Sequence, residues 1–352
     1  MIHSTLVQTL RSVLLLICCG IFQMAYAQNP PASKVIAAIP GNYTGSYYKG
    51  NYVWGGAMNL AWDDLSKTIL KEKVKLATKD QAARSMLSKL NDPAFTKDDL
   101  DENSYYIKSG YGPKTVDTIN TESRKKFPSK SFSNLSAQLS DRDIIAYAYF
   151  LKQVTYLKIF THSELSFAGQ KVAGFYAWTE KERENVRILE YVNDNKFIIS
   201  LDLQEAGDQL ILAKGYNMTD PAIAVKQINQ HHDDYLSPMG DPDNFEAPNL
   251  TLDHHRDYVE LINQPLANKG FENYVIRQMF ENVKFKMDEK GAGVESEAEV
   301  SMQDLAINPD YQPTPRHFVL DKPFWVVMKR KKSNQPYFIL GVNNTELMDK
   351  IK

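Results

Sequence analysis

The two cysteines of the 352-residue chain stand side by side at Cys18 and Cys19, and there are no others. They fall in a stretch with the pattern of a secretory leader. It has a single charge at Arg11, a hydrophobic run opening at 13–17, and a small-x-small site at Ala25-Tyr26-Ala27. Cleavage after Ala27 would leave 325 residues without a thiol. Neither cysteine suits lipid attachment, because bulky Ile17 precedes the first and a cysteine precedes the second. A secreted chain of this kind cannot be a disulfide scaffold, a zinc ribbon or a thiol enzyme. Its fold must be held by burial and hydrogen bonding, and is free of covalent staples if it has to rearrange.

Charge and hydropathy narrow the choice further. Of 41 basic residues only Arg11 lies in the leader, so the formal charge moves from −2 to −3 on cleavage. A near-neutral chain of mixed charge is not built to hold nucleic acid by counter-ion release. No stretch after Ala27 approaches the roughly 20 apolar residues that span a bilayer, so no membrane partner is expected. At 43% hydrophobic residues the chain can fill a large core.

Periodicity predicts mixed elements. Helices are expected from about Ala57 to Val74, over Lys79–Leu90 with Thr78 as cap, over 114–127 before Pro128, and from Asp220-Pro221 to about Tyr235. Further helices are expected at 253–263 and 271–280. Residues 41–56, 98–102 and 241–248 read as loop or turn. Strands are expected at 144–160, 167–178, 196–203, 209–216, 283–287, 323–329 and 337–342. With no regular strand–helix alternation and no dividing linker, residues 28–352 read as one α+β domain following the leader 1–27.

Enzyme motifs are sparse. There is no G-x-S-x-G, H-E-x-x-H or phosphate loop. Gly291-Ala292-Gly293 opens like a dinucleotide fingerprint, but Ser296 stands at the third glycine and no helix pattern follows. No cofactor is expected. Two histidine doublets, His231-His232-Asp233-Asp234 and Asp253-His254-His255, have metal-ligand chemistry. On a helix, His231 and Asp234 could share an ion, with His254 or His255 completing the site; solvated helix ends fit as well. Asp241-x-Asp243-Asn244 resembles a calcium loop only briefly, since Phe245 and Glu246 interrupt it. Sequons begin at Asn42, Asn134, Asn217, Asn249 and Asn343.

The most informative segment follows Met287. Ala292, Val294, Ser296, Ala298, Val300 and Met302 alternate with Gly293, Glu295, Glu297, Glu299 and Ser301. That is a strand with one small, apolar face and one wet face. The next stretch, to Arg316, carries Pro309, Pro313 and Pro315 and no strand pattern. An ordinary hairpin strand with a long surface loop would fit. So would a bait loop with a face made to enter a tight slot, since long loops in compact domains are often functional.

Asp288-Glu289-Lys290-Gly291, the small-residue strand, Phe318-x-x-Asp321-Lys322-Pro323-Phe324 and Tyr337–Gly341 resemble the C-terminal third of a serpin. Ile119-Asn120, the segment 143–150 and the segment 209–213 agree more faintly, in the same order. The resemblance spans about 115–345. It implies an α+β fold with several helices on a large mixed sheet, smaller sheets, and an exposed reactive loop at about 292–316. The activity implied is inhibition of a serine protease: the loop is cleaved, an acyl-enzyme forms, and the loop inserts into the central sheet. The hinge and insertion face would be Glu289, Gly291, Ala292, Val294, Ser296 and Ala298. Family spacing from Glu289 puts the cleaved bond at Leu305-Ala306, which suits a chymotrypsin- or elastase-like protease; counting back from Pro323-Phe324 lands near Tyr311-Gln312. The C-terminal signature is Phe318, Asp321, Pro323, Phe324 and Gly341.

The departures are specific. The hinge carries Glu295 and Glu297. Ala146 and Glu281 stand where the family has Asn and His under the sheet, and Val154 or Tyr156 is near the expected Trp. The first hundred residues are shorter than usual. A monomeric, secreted inhibitor, extracellular or periplasmic, is the leading expectation. A non-inhibitory serpin-like binding protein and a secreted metal-dependent enzyme are the alternatives.

Overall fold

A computed structural model describes residues 43–92, 95–128, 139–230, 237–290 and 314–351. They lie in one compact unit, Ile39–Lys352. None of the described helices is long and apolar enough to cross a membrane.

Among the described residues sixteen strands form three sheets. Strands β1 (Ser46–Tyr48) and β2 (Asn51–Gly55) lie where the sequence reads as loop; β2 is buried throughout. Next come β3 (Tyr105–Tyr111), β4 (Asp143–Gln153), the hairpin β5 (Thr161–Phe167) and β6 (Gln170–Tyr176), then β7 (Val186–Asn193), β8 (Lys196–Leu201) and β9 (Asp208–Lys214). The rest are β10 (Ser237–Pro238), β11 (Asn244–Pro248), β12 (Leu250–Asp257), β13 (Val275–Met287), β14 (His317–Val319), β15 (Phe324–Arg330) and β16 (Pro336–Val342). An antiparallel eight-stranded sheet runs β1-β2-β16-β15-β9-β8-β7-β10, and a second sheet runs β14-β11-β6-β5. The third, β12-β13-β4-β3, has β13 and β4 parallel at its centre. The class is α+β, as expected, but the largest sheet is antiparallel and the mixed sheets have four strands each.

The helices follow their caps. Helix α1 (Ala57–Asp64) continues as a π-helix over Leu65–Leu70 and stops at Lys71, whose φ of 60° is left-handed. Helix α2 (Gln81–Asn91) is capped by Asp80, not Thr78; Asp80 Oδ1 accepts from the N–H groups of Ala82 at 2.7 Å and Ala83 at 3.1 Å. Helix α3 (Pro113–Lys126) starts after Gly112, which takes φ 74°. Helix α4 is the short turn Glu180–Arg183. Helix α5 (Pro221–Ile228) opens on Asp220 and Pro221, as their pairing predicts.

Three expectations are corrected. Residues 253–263 and 271–280 are not helices; they contribute to β12 and β13. In β12, Leu250, Leu252 and His254 are buried while Thr251, Asp253 and His255 are exposed, which is strand alternation. In β13, the ladder to β4 and β12 overrides the helix-favouring charges of the segment. The stretch 241–248 contains β11.

Candidate insertion seam

The β4–β13 pair is the part of the molecule whose geometry stands out. Its register runs from Asp143↔Val275 to Gln153↔Lys286, with one bulge between Ile276 and Gln278. Parallel strands cannot be joined by a hairpin, so only ladder bonds and the packing on each face hold this seam. On one face Ile145, Tyr147, Tyr149 and Phe280 form a small core with Val116 and Ile119 of α3. On the other face Ile144, Ala146, Ala148 and Phe150 of β4, with Met279, Val283 and Phe285 of β13, join the main core. Phe338 of β16 stacks beneath both strands, 5.6 Å from Phe150 and 4.7 Å from Phe285 between ring centroids.

The end of β13 leads to the expected bait. Glu289 is held there: its carbonyl accepts from Phe160 N–H at 2.9 Å, and its Oε2 from Asn249 Nδ2 at 3.4 Å. Asp288 pairs with Lys286 at 2.6 Å. Gly291, Ala292, Val294, Ser296, Ala298, Leu305 and Ala306 lie outside the described residues.

Arg316 is clamped on Asp243 by Nε–Oδ1 and Nη2–Oδ2 contacts of 3.0 and 2.6 Å. Burial alone would raise Asp243, but the Arg316 hydrogen bonds outweigh it and hold the carboxyl below its ordinary value. That clamp uses both oxygens a calcium ion would need. The C-terminal signature residues are structural pins. Phe318 is buried between Tyr191 and Phe197, and Phe324 packs edge-on to Phe167. Asp321 accepts from Lys214 Nζ at 2.6 Å, and Pro323 leads directly into β15. Gly341 lies under the Trp325 ring, where a Cβ would come within 2.8 Å of a ring carbon.

The seam also places the departures. Ala146 and Glu281 do not face each other: Ala146 opposes Met279, and Glu281 opposes Ala148. Tyr156 takes the aromatic position near the top of β4, fully buried among Phe160 and Phe175. Two residues that touch Glu281, Gly55 and Tyr258, carry no sequence signal of their own.

The second histidine doublet stands on a strand, not at a helix end. His254 and His255 point to opposite faces of β12. His254 is buried, with Nε2 3.1 Å from Ser46 Oγ; burial first, then Arg256, lowers its pKa to about 4. His255 is exposed beside Asn282 and Asp257. His231, His232 and Asp234 lie outside the described residues. Among the described residues no group of three or more His, Cys, Asp or Glu side chains is placed to hold a metal ion.

A four-stranded sheet with a parallel central pair and a helix across one face, beside an eight-stranded antiparallel sheet, has a match among solved structures. The mouse protein Z-dependent protease inhibitor superposes with a TM-score of 0.54 at 12% identity, covering 84% of this chain and 91% of that one. A serpin from Schistosoma mansoni gives 0.43 at 13% identity, covering 65% and 63%. Manduca sexta serpin-12 gives 0.44 at 13%, covering 68% and 77%. The mouse structure carries the assignment, and at such identity what it shows is the fold: this chain is a divergent serpin-fold protein. No family profile and no curated protein sequence matches the chain.

Proposed function

We propose that the protein is a secreted, monomeric, non-enzymatic inhibitor that traps a serine protease by cleavage of the segment 292–316 and insertion of its first half between β4 and β13. The carrying observation is the closed parallel seam with Glu289 held at the end of β13. Fourteen extended residues, 292–305, would span roughly 46 Å, against about 43 Å for the thirteen residues of β13. A strand returning from Glu289 would run antiparallel to both neighbours. One parallel pairing would become two antiparallel ones, which are slightly more stable per residue. The small side chains Ala292, Val294, Ser296 and Ala298 suit entry between Ala146, Ala148 and Val283.

In this reading the protease serine attacks the Leu305 carbonyl carbon. The Leu305–Ala306 bond breaks, the Ala306 nitrogen leaves with a proton from the protease histidine, and the Leu305 acyl group stays on the serine. Insertion then carries the enzyme away before water completes hydrolysis. A leucine before the bond suits an apolar specificity pocket of the chymotrypsin or elastase type. The test is a denaturing gel after mixing with such proteases. A band at the summed mass supports trapping, and cleavage without it rejects trapping.

A second reading, a non-inhibitory binding protein of the same fold, is favoured by one observation: the carboxyl of Glu281 lies buried in the seam that must open. It predicts that nicking the loop leaves the melting temperature unchanged or lower, where insertion would raise it.

A further inference from the structure

Glu281 lies midway along β13 and is only 2% exposed. The trapping step proposed above gives it no role. Its Oε2 accepts one hydrogen bond, from Tyr258 O–H at 3.2 Å, and its Oε1 has no hydrogen bond of good geometry. The groove is shaped around it. A Cβ on Gly55 would lie 3.0 Å from Oε1 and 3.4 Å from Val283 Cγ2, so a side chain there would crowd the carboxyl.

The groups around it are few. From β12 and its extension come Arg256, the cross-strand neighbour of Glu281, and Tyr258. Arg256 stacks over the Tyr258 ring at 4.2 Å. From β4 comes Ala148, from β2 Gly55, and from the start of α1 the Met58 backbone N–H; none of these titrates. A buried carboxylate is stable when several donors or a dedicated cation meet it. Here one phenol, one amide and a cation engaged with a ring do so. Burial is the largest influence and raises the pKa to about 7, against the opposing pull of Arg256, Tyr258 and the Met58 amide.

We infer that Glu281 is a proton-dependent latch of the β4–β13 seam: the neutral acid keeps the two strands together, and the carboxylate favours their separation. The physical cause is solvation. A charge at this position is costly while the seam is closed, and separating the strands lets water reach it. The protein therefore opens more readily on the alkaline side of neutrality, with the proton released to solvent. His254, on the same face of β12, acts in a separate window, because its charging belongs to pH values below its ordinary 6.5. The latch deepens the insertion reading, since the strands it controls are those the cleaved loop would enter.

Hydrogen exchange of the β4 and β13 amides in the full chain tests it. After division by the intrinsic pH dependence, opening should rise by up to about 30-fold between pH 5.5 and 8.5 if the opened state has an ordinary glutamate pKa. Glu281→Gln, an uncharged mimic of the acid, should stay at the low level throughout. Identical profiles for wild type and Glu281→Gln would overturn the latch. If that variant does not fold, Tyr258→Phe supplies the second measurement. Loss of the phenol should move the wild-type midpoint to higher pH, and an unmoved midpoint overturns the proposal. Exchange requires no protease. A pH-dependent seam in a protein that forms no covalent complex would leave the latch standing and remove the inhibitor reading.

Discussion

Two buried carboxyls illustrate how differently this fold treats its sheets. Asp208, at the start of β9 in the eight-stranded sheet, is 1% exposed and fully paired. Its Oδ2 meets Lys152 Nζ at 2.6 Å, and its Oδ1 meets Arg330 Nη1 at 2.7 Å. Because Lys152 belongs to β4, this cluster ties the C-terminal end of the seam to the antiparallel sheet. Glu281 is equally deep but has one phenol and no ion pair of its own. A paired charge needs its partners and holds elements in register. An under-supported one changes its charge near neutral pH and becomes a point where the structure responds to protons. The first region is built to stay, and the second is built so that it can part.

The largest expected effect comes from breaking the paired side. Asp208→Asn leaves the buried Lys152 ammonium without a counter-charge and should cost about 3–5 kcal/mol. Urea unfolding reads this directly. A loss under 1 kcal/mol would mean that the cluster is solvated and that the contrast with Glu281 fails.

The next effect is the pH dependence of the other side. Glu281 has a folded value raised from 4.5 to about 7. Its contribution is therefore fully present below about pH 4.5 and is lost as pH rises through 7, a span of roughly 3 kcal/mol. Glu281→Gln should flatten stability between about pH 4.5 and 7 while leaving the Asp208 cluster untouched. A retained slope would assign the titration to another group.

The same contrast explains what the amino-acid pattern disclosed. The run 337–341 is legible because it is apolar and buried throughout in β16, and Phe318 and Phe324 are legible as buried aromatic anchors. The end of β13, 283–287, reads as a strand, as it is, but its start reads as a helix because Arg277 and Gln278 crowd a central strand, and local pattern cannot show that α3 and the main core cover its two faces. The end of β12 reads as a helix for a related reason: His254 counts as polar in a pattern, yet its ring is buried against Tyr48. Glu281 was noticed as a departure, but its setting was not legible. Gly55 and Tyr258 come from other segments, and their only message is steric room and one hydroxyl. The seam itself depends on the pairing of β4 and β13, strands far apart in sequence, which no local window contains.

His254 offers a smaller test on the acid side. Its Nδ1 has no partner, and burial lowers its pKa from 6.5 to about 4. Its neutral form is the stable one, so this contribution is present above pH 6.5 and lost as pH falls through 4. His254→Asn should reduce the acid-side loss by about 1–2 kcal/mol, less than the full shift implies because a charged ring at the sheet margin is partly screened. Thermal melts at pH 4 and 7 measure it. An unchanged difference between the two would place the acid transition among the carboxylates instead.

The smallest effect, and the sharpest on the latch, concerns Gly55. A Cβ there meets Glu281 Oε1 at 3.0 Å and Val283 at 3.4 Å, so Gly55→Ala should cost about 1 kcal/mol through crowding. The cost should come from the carboxyl and not from the backbone, because Gly55 does not take a left-handed φ. In a Glu281→Ala background the added methyl enters vacated space, and the penalty should disappear or change sign. A double-mutant cycle isolates that term. Strict additivity would show that Gly55 and Glu281 do not share their space, and would remove the steric half of the argument that the groove was shaped around an acid.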